Sequence, residues 1–217
     1  MQKGNRGIGL LEKYQINMLF HITQLSNIGH IFKYGLLCHQ KAHNVFNKRC
    51  FGISIADISD SEVQQRRKNK LLNNKTIHQY VCLYFNPKNP MLYSRKSKQD
   101  ELIILGIDPN VLLEEGVYFS DGNAAASNTK FYNNLESLDL INWEILKTEG
   151  WSDQPDWKRI KCAEALAPFT ISFQKIEKIF CYNTKQIQTI ELIIQGLKES
   201  KKIDISTDLE VKKELYF

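Results

Sequence analysis

Short apolar runs separated by polar turns dominate the chain and predict more strands than helices. The predicted strands cover residues 16–23, 80–85, 102–107, 117–119, 160–166 and 178–182. Apolar positions at helical spacing after Ser26 predict a helix that ends at Gly35, and a second amphipathic helix is predicted at 187–197. Because the strands do not alternate regularly with helices, the pattern favours an α+β fold with largely antiparallel sheets.

The segments between these elements carry weaker signals. Residues 36–58 mix polar and aromatic side chains and are predicted to form a long loop. Ser59-Asp-Ser-Glu62 has the spacing of a capping box, which predicts a helix that continues to about Leu72. A loop of small residues at 120–127 is followed by a stretch predicted to be helical as far as Lys147.

Composition points to one ordinary folded domain. The 217 residues are 42% hydrophobic and 24% charged, with a net charge of +5. We expect a flexible, glycine-containing leader at 1–15 and a single domain at 16–217.

No run approaches the roughly 20 apolar residues that span a bilayer, and no signal peptide is visible, so a cytoplasmic protein without a membrane partner is expected. The five cysteines contain no C-x-x-C and form no finger pattern with the histidines, which predicts reduced thiols and no metal site.

A glutamate within an apolar strand is the most informative chemical feature. In Ile160-Lys-Cys-Ala-Glu-Ala-Leu166, alternation along a strand places Glu164 on the same face as Ile160, Cys162 and Leu166. A carboxylate among apolar neighbours is unfavourable unless it has a partner or a task. The pattern leaves open a structural ion pair, a shifted register at a bulge, and a catalytic acid.

Two further groups suggest a site for an anionic ligand. Arg66 and Arg67 on the predicted basic helix either form a solvated face or grip a phosphate, since a guanidinium binds phosphate with two parallel hydrogen bonds. His21 and Thr23 point to the same side of their strand, where they either bind a ligand or satisfy local hydrogen bonds. Together these residues suggest a pocket for a polar, phosphorylated ligand, which their spacing alone does not identify.

An ordered series of short stretches is similar to a known family. The stretches are Phe20-His-Ile-Thr23, Glu62-Val-Gln-Gln-Arg-Arg67, Tyr80-Val-Cys-Leu-Tyr-Phe-Asn-Pro87, Phe119-Ser-Asp-Gly-Asn-Ala-Ala125, Phe131-Tyr-Asn-Asn134, Ile141-Asn-Trp143 and Cys162-Ala-Glu-Ala-Leu166. They resemble DarT-type ADP-ribosyltransferases, the toxins of DarT–DarG toxin–antitoxin pairs, over about residues 16–185. The resemblance implies an ADP-ribosyltransferase-like split antiparallel β-sandwich with flanking helices.

The resemblance also implies roles for individual residues. Glu164 matches the catalytic glutamate, and Arg67 matches the functional arginine. NAD, the ADP-ribose donor, would be contacted by His21, Ile22, Thr23, His30, Cys38 and Arg67. Single-stranded DNA would be contacted by Asn123, Tyr93, Arg66 and Lys68, a set chosen by its position in the family pattern, its charge and its aromatic character. Asn123 departs from the family, which often has histidine at this position.

The chemistry of the transfer agrees with these roles. Breaking the bond between ribose and nicotinamide develops positive charge on the sugar, which a nearby carboxylate stabilises best in a water-poor site. The resemblance implies that residues 39–69 enclose NAD and that residues 123–164 recognise the acceptor. The loop at 36–58 would then act as a lid that excludes water.

The function expected from the sequence is NAD-dependent mono-ADP-ribosylation of a base in single-stranded DNA. Thymine is favoured narrowly over guanine, a DarG-like antitoxin is the expected protein partner, and a monomer is expected. The alternatives are transfer to RNA or protein, and a module that binds NAD or nucleic acid without catalysis.

Overall fold

The computed structural model describes residues 2–47, 60–150, 154, 156–201 and 207–217. Ser59 and residues 48–58 of the predicted lid lie outside these residues, as do positions 151–153 and 155 of the predicted acceptor loop. The fold combines eight α-helices among the described residues with one large sheet and two small ones. The predicted α+β class is therefore confirmed. No helix among the described residues is long and apolar enough to cross a bilayer.

Twelve strands form the sheets of the described chain. They are β1 (Leu19–Gln24), β2 (Leu36–Leu37), β3 (Leu71–Leu72), β4 (Lys75–Thr76), β5 (Tyr80–Tyr84), β6 (Leu102–Ile107), β7 (Tyr118–Ser120), β8 (Phe131–Tyr132), β9 (Glu164–Pro168), β10 (Thr170–Ile171), β11 (Ile176–Cys181) and β12 (Asp208–Val211). The large sheet has the order β12-β11-β6-β1-β5-β9-β7-β8, while β10 pairs with β2 and β3 pairs with β4. Every pairing is antiparallel except that of β11 with β12.

The large sheet is split between its two central strands. β1 pairs with β6 from Leu19 to Gln24, and β5 pairs with β9 from Tyr80 to Tyr84. In contrast, β1 and β5 share a single residue pair, Phe20 with Tyr84. The sheet therefore consists of two well-bonded halves joined at one residue pair. This is the split sheet that the family resemblance implied.

Helices cover the sheet and frame the opening of the split. They are α1 (Gln2–Lys13), α2 (Ile28–Tyr34), α3 (His39–Asn47), α4 (Ser61–Asn69), α5 (Pro90–Ser94), α6 (Trp143–Lys147), α7 (Trp157–Ile160) and α8 (Thr184–Lys201). The main core forms where α2 and α8 meet β6 and β11, through buried side chains such as Phe32, Leu105, Ile179 and Ile190. β6 is buried along its whole length, which explains why it reads as an uninterrupted apolar run.

Three predictions about local structure are corrected. Residues Gln2–Lys13 form helix α1 instead of a loose leader, because Leu11 is buried in the main core and Gly7 lies against Leu113 and Leu135. The segment predicted as a long loop contains β2 and α3. The stretch predicted as helical up to Lys147 begins with β8, followed by a 3-10 helix at Leu135–Leu140 and by α6.

The strand predicted at 160–166 is also shorter than expected. α7 occupies Trp157–Ile160, and the amides of Lys161 and Cys162 donate back to the carbonyls of Trp157 and Arg159. β9 therefore begins at Glu164, so Ile160 and Cys162 do not share a strand face with it, whereas Leu166 does.

Candidate active site

A pocket opens where β1 and β5 separate. β1 contributes His21, Ile22 and Thr23, and β5 contributes Tyr80, Cys82 and Tyr84. The outer wall comes from α2, β2 and α3, which supply His30, Cys38, His39 and His43, among others, and α4 closes the side with Gln64 and Arg67. The residues predicted to contact NAD thus surround one cavity, although they come from β1, α2, the link between β2 and α3, and α4.

An ion pair between Arg67 and Glu164 lies at this pocket. Arg67 Nη2 donates to Glu164 Oε1 at 2.7 Å and to Oε2 at 3.0 Å. The Glu164 side chain has no exposed surface, and that of Arg67 is 11% exposed. Of the three alternatives that the sequence left open for Glu164, the structure shows an ion pair, which leaves a catalytic role open.

The backbone around Glu164 fixes its carboxylate. The amide of Ala124 donates to Oε1 at 2.8 Å, and the Ser120 hydroxyl accepts from the Glu164 amide at 3.2 Å. Both partners lie in or next to β7, the neighbour of β9 in the sheet. The first bond holds the carboxylate and the second holds the backbone of β9, so Glu164 is fixed in place before any ligand binds.

Electrostatics keeps the guanidinium of Arg67 charged. Burial alone lowers the pKa of Arg67, but Cys82 and Glu164 outweigh burial and raise it well above its usual value. Burial raises the pKa of the Cys82 thiol to about 12, so the thiol is protonated near neutral pH and Glu164 is the charged partner. Arg67 Nε is buried without a hydrogen-bond partner among the described residues. This cationic, partly unsatisfied side chain fits an anionic ligand such as a pyrophosphate.

The histidine on β1 is held in one orientation. His21 Nδ1 donates to the Cys82 carbonyl at 3.0 Å, because a carbonyl oxygen can only accept. Burial lowers the pKa of His21, against the opposing effect of that bond, so the ring is neutral near pH 7 and Nε2 is left as an acceptor. Thr23 Oγ1 accepts from Asn27 Nδ2 at 3.0 Å, which links β1 to the start of α2.

Three histidines form a part of the pocket wall that the sequence did not reveal. The ring of His39 lies 4.0 Å from that of His78 and 4.3 Å from that of His43, measured between centroids. His78 Nε2 donates to Gln64 Oε1 at 2.7 Å. The i, i+4 spacing of His39 and His43 on one helix face was the available signal, but His78 is remote in sequence. Among the described residues, no group of His, Cys, Asp or Glu side chains is arranged to hold a metal ion.

A second, more open groove lies beside the ion pair. α4 lines it with Arg66 and Lys70, and the loop 123–128 lines it with Asn123. Lys70 Nζ donates to the Ala126 carbonyl and lies 4.8 Å above the Phe131 ring. Consecutive residues of α4 therefore serve two cavities, since Arg67 faces the pocket and Arg66 faces the groove.

Arg159 anchors the loop that forms the far wall of this groove. Its guanidinium pairs with Asp121 at 2.8 Å and with Asp156 at 2.6 Å, and its carbonyl accepts from the Asn123 amide at 2.9 Å. The Asn123 side chain accepts from the Ala125 amide at 2.9 Å. The loop is thus held in place by α7, of which only Ile160 falls within the predicted strand.

Two of the residues predicted to contact DNA lie elsewhere. Lys68 is exposed on α4 and lines neither cavity. Tyr93 on α5 is 42% exposed, with the Lys96 ammonium 4.4 Å above its ring and Phe217 against its edge. The structure therefore brings Arg66 and Asn123 together in the second groove, but not Lys68 or Tyr93.

Comparison with known proteins identifies relatives over nearly the whole chain. The family model described as "ssDNA thymidine ADP-ribosyltransferase, DarT" matches residues 20–217. A DNA ADP-ribosyl transferase of Thermus sp. (strain 2.9) is 27% identical over 193 residues, which are 85% of this chain and 90% of that protein. A DNA ADP-ribosyl transferase–DNA ADP-ribosyl glycohydrolase fusion protein of Thermosipho africanus is 29% identical over 167 residues. The match covers 75% of this chain but only 42% of the fusion protein.

Solved structures agree on the fold. Thermus sp. 2.9 DarT in complex with ADP-ribosylated single-stranded DNA superposes with a TM-score of 0.80 at 23% identity, covering 94% of this chain and 97% of that one. The same Thermus protein in complex with NAD+ gives a TM-score of 0.75 at 22% identity, covering 93% and 98%. With the family model matching almost the entire described domain, this chain belongs to the DarT family of ADP-ribosyltransferases.

Proposed function

We propose that this chain is an NAD-dependent mono-ADP-ribosyltransferase that modifies a base in single-stranded DNA, with thymine as the first target and guanine as the second. The observation that carries the proposal is the buried Arg67–Glu164 pair, whose arginine lines the pocket of the split sheet. A carboxylate with no exposed surface, fixed by the Ala124 amide and paired with a guanidinium, has the preorganised charge that a glycosyl transfer needs. Membership of the DarT family supports the same reaction.

NAD, when bound, supplies the ADP-ribosyl group and nicotinamide as the leaving group. The residues that would hold it are Arg67, whose Nε has no other partner among the described residues, and His21 with Thr23 on β1. Neutral His21 offers Nε2 as an acceptor, and the guanidinium offers positive charge to the pyrophosphate. His30, Cys38 and Ile22 complete the wall around the donor.

Glu164 would stabilise the positive charge that develops on the ribose. Its position in a buried strand strengthens this effect, because charges interact more strongly where water is excluded. Arg67 holds the glutamate carboxylate in position. With a guanidinium pKa raised well above its usual value, Arg67 acts by charge and position and not by accepting a proton.

The acceptor base would enter from the groove lined by Arg66, Lys70 and Asn123. Asn123 and Ala125 of this groove flank Ala124, whose amide donates to the Glu164 carboxylate, so the groove lies one residue away from the proposed catalytic group. Arg66 and Lys70 supply positive charge for the phosphates, and Phe131 supplies a ring beside them. An unpaired strand suits this site, because a base within a duplex is not accessible to a pocket.

A DarG-like antitoxin that removes ADP-ribose is the proposed partner. The Thermosipho africanus relative joins a DNA ADP-ribosyl transferase to a DNA ADP-ribosyl glycohydrolase in one chain, and the matched part is shared with this protein. A toxin in a toxin–antitoxin pair, acting as a cytoplasmic monomer, is the cellular role that we propose.

Mass spectrometry of defined oligonucleotides after incubation with NAD tests the proposal. We expect a mass increase of one ADP-ribose on thymine-containing single strands, and none on duplex DNA. Modification of guanine-containing strands alone would move the target to guanine. Modification of RNA or protein alone, or none with any acceptor, would reject DNA transfer, and the Glu164→Gln variant serves as the inactive control.

A further inference from the structure

We propose that Cys82 is a positioning residue that orients two side chains of the active site. Its thiol accepts a hydrogen bond from Arg67, and its carbonyl accepts one from His21. The inference deepens the proposed function and rests on it, because the orientation matters for the transfer reaction. Cys82 lies at the middle of β5 and lines the pocket.

The thiol has one donor and one acceptor position, and both are used. Arg67 Nη1 donates to Cys82 Sγ at 2.7 Å, and Sγ lies 3.9 Å from the Tyr80 carbonyl, which accepts the thiol proton. Because Nη1 lies against it, the sulfur atom also limits how closely the guanidinium approaches β5. A sulfur atom that accepts from Nη1 and limits its approach defines where one edge of the guanidinium lies.

The other edge of the same guanidinium is held by Glu164. Nη1 bonds to sulfur and Nη2 bonds to both carboxylate oxygens, so two nitrogens of the planar fork are fixed. Fixing two nitrogens of a plane also fixes the third, and the direction in which Nε points is therefore set. Nε is the nitrogen without a partner among the described residues.

The neutral state of the thiol makes it suitable for this task. Burial raises the pKa of Cys82 to about 12, although Arg67 lowers it, so the sulfur carries a proton near neutral pH. A neutral acceptor orients the guanidinium without cancelling its charge. The positive charge thus remains available to Glu164 and to the donor phosphates.

The carbonyl of the same residue acts across the split. His21 Nδ1 donates to the Cys82 carbonyl at 3.0 Å, which selects the tautomer with Nε2 as acceptor. β1 and β5 share only the Phe20–Tyr84 pair, so this bond is a second link between the two halves of the sheet. Cys82 thereby fixes the position of His21 in one half of the sheet relative to Arg67 and Glu164 beside the other half.

Comparing Cys82→Ala with Cys82→Ser tests the thiol. The two variants differ by one hydroxyl, which keeps an acceptor for Arg67 in the serine variant only. We expect Cys82→Ala to lower kcat about tenfold with KM for NAD nearly unchanged, which matches the loss of one hydrogen bond to a charged group. Cys82→Ser restores most of kcat. Cys181→Ala, which removes a buried thiol on β11 outside the pocket, leaves kcat unchanged.

A double-mutant cycle provides a readout that does not depend on activity. The urea midpoints of Cys82→Ala, Arg67→Gln and the double variant are compared with that of the unmodified protein. We expect the combined shift to differ from the sum of the single shifts, because contacting residues are coupled. Additive shifts, or equal kcat losses in the alanine and serine variants, would overturn the inference. An inactive unmodified protein would reject the proposed function, while the cycle still decides whether Cys82 holds Arg67.

Discussion

At the scale of single residues, the site depends on a charge pair that is buried before any ligand arrives. The Arg67 guanidinium and the Glu164 carboxylate come from a helix and a strand that are remote in sequence, and both are nearly inaccessible to water. A buried charge that loses its partner is strongly unfavourable. The two residues therefore depend on each other for stability as well as for the proposed reaction.

Replacing Glu164 by glutamine tests this dual role. We expect Glu164→Gln to lower the rate of transfer by about 10²–10³-fold, because an uncharged amide does not stabilise a developing cation. It should also lower the free energy of unfolding by about 3 kcal/mol, since Arg67 is left as an unpaired buried charge. Affinity for NAD should stay within a few-fold of that of the unmodified protein.

Single-turnover kinetics, urea unfolding and calorimetric titration with NAD measure these three quantities. A variant that transfers ADP-ribose at the original rate would refute the catalytic role of Glu164. The isosteric change at exposed Glu191 on α8, Glu191→Gln, is the matched control and should leave all three quantities unchanged.

His21 links folding stability to pH. Its pKa is lowered by burial in the folded protein and returns to the ordinary value near 6.5 on unfolding. Between these two values the unfolded chain binds more protons, so stability is complete above pH 6.5 and falls as the pH drops through the folded pKa. We expect His21→Asn, which keeps a donor for the Cys82 carbonyl, to lose part of this dependence.

Urea midpoints at pH 8 and pH 5 provide the comparison. The drop between the two pH values should be larger in the unmodified protein than in the variant. Equal drops would show that His21 does not titrate differently in the folded and unfolded states.

At the scale of elements, the pocket wall depends on a tight backbone contact after α2. Gly35 has a φ of +77°, and a Cβ added there would lie 2.6 Å from the Ile171 carbonyl oxygen. This contact allows β2 to pair with β10 and to carry Leu36, Leu37 and Cys38 to the pocket. A side chain at Gly35 would force these strands apart.

Alanine substitution at two glycines separates this effect from general backbone changes. Gly35→Ala should lower the free energy of unfolding by about 1–3 kcal/mol, since both its φ and its close contact are incompatible with a side chain. It should also raise KM for NAD, because the pocket wall moves. Gly196→Ala within α8 has open space around it and should stabilise the protein by about 0.5–1 kcal/mol. Equal effects of the two changes on stability would contradict the structural reason given for Gly35.

Elements with a strong local signal were predictable from the sequence, and those that depend on remote contacts were not. β6 was predicted with its observed bounds, and Gly35 was predicted to end its helix. α1 was not predicted, because its glycines indicate a flexible segment. The helix is packed against Leu113 and Leu135, which are remote in sequence and come close only in the folded protein. The start of β9 was misplaced, because α7 and the following turn contain the same apolar residues as a strand.

The candidate site was also predictable only where its residues carry a local signal in the sequence. Glu164 stood out as a carboxylate among apolar residues, and Arg67 as one of two arginines, but their pairing requires the register of β5 with β9. Cys82 and the Ser120 hydroxyl gave no signal, since their contacts with the site join residues that are remote in sequence. The family resemblance indicated that Arg67 is the functional arginine of the two. The residue types alone did not distinguish Arg66 from Arg67.

At the scale of the whole molecule, positive charge near the groove should govern binding to DNA. Arg66 lines the groove with its side chain largely exposed. Each phosphate neutralised on a single strand contributes about −0.7 to the slope of log affinity against log salt concentration. We expect Arg66→Ala to reduce the magnitude of this slope by about 0.7, while Lys198→Ala on exposed α8 leaves it unchanged.

Fluorescence anisotropy of a labelled oligonucleotide between 50 and 200 mM salt, without NAD, measures the slope. Equal slopes for Arg66→Ala and the unmodified protein would place the strand outside this groove. The acceptor path would then have to be sought elsewhere on the molecule.

The single pairing between β1 and β5 has a consequence for how such a site can change over time. Each half of the sheet keeps its own complete ladder of backbone bonds, so the gap between them can widen or narrow while few of those bonds are broken. Insertions and substitutions that suit a different acceptor can therefore accumulate along the two rims without unfolding the scaffold. A join of one residue pair therefore lets the shape of the opening change while the scaffold of each half is kept.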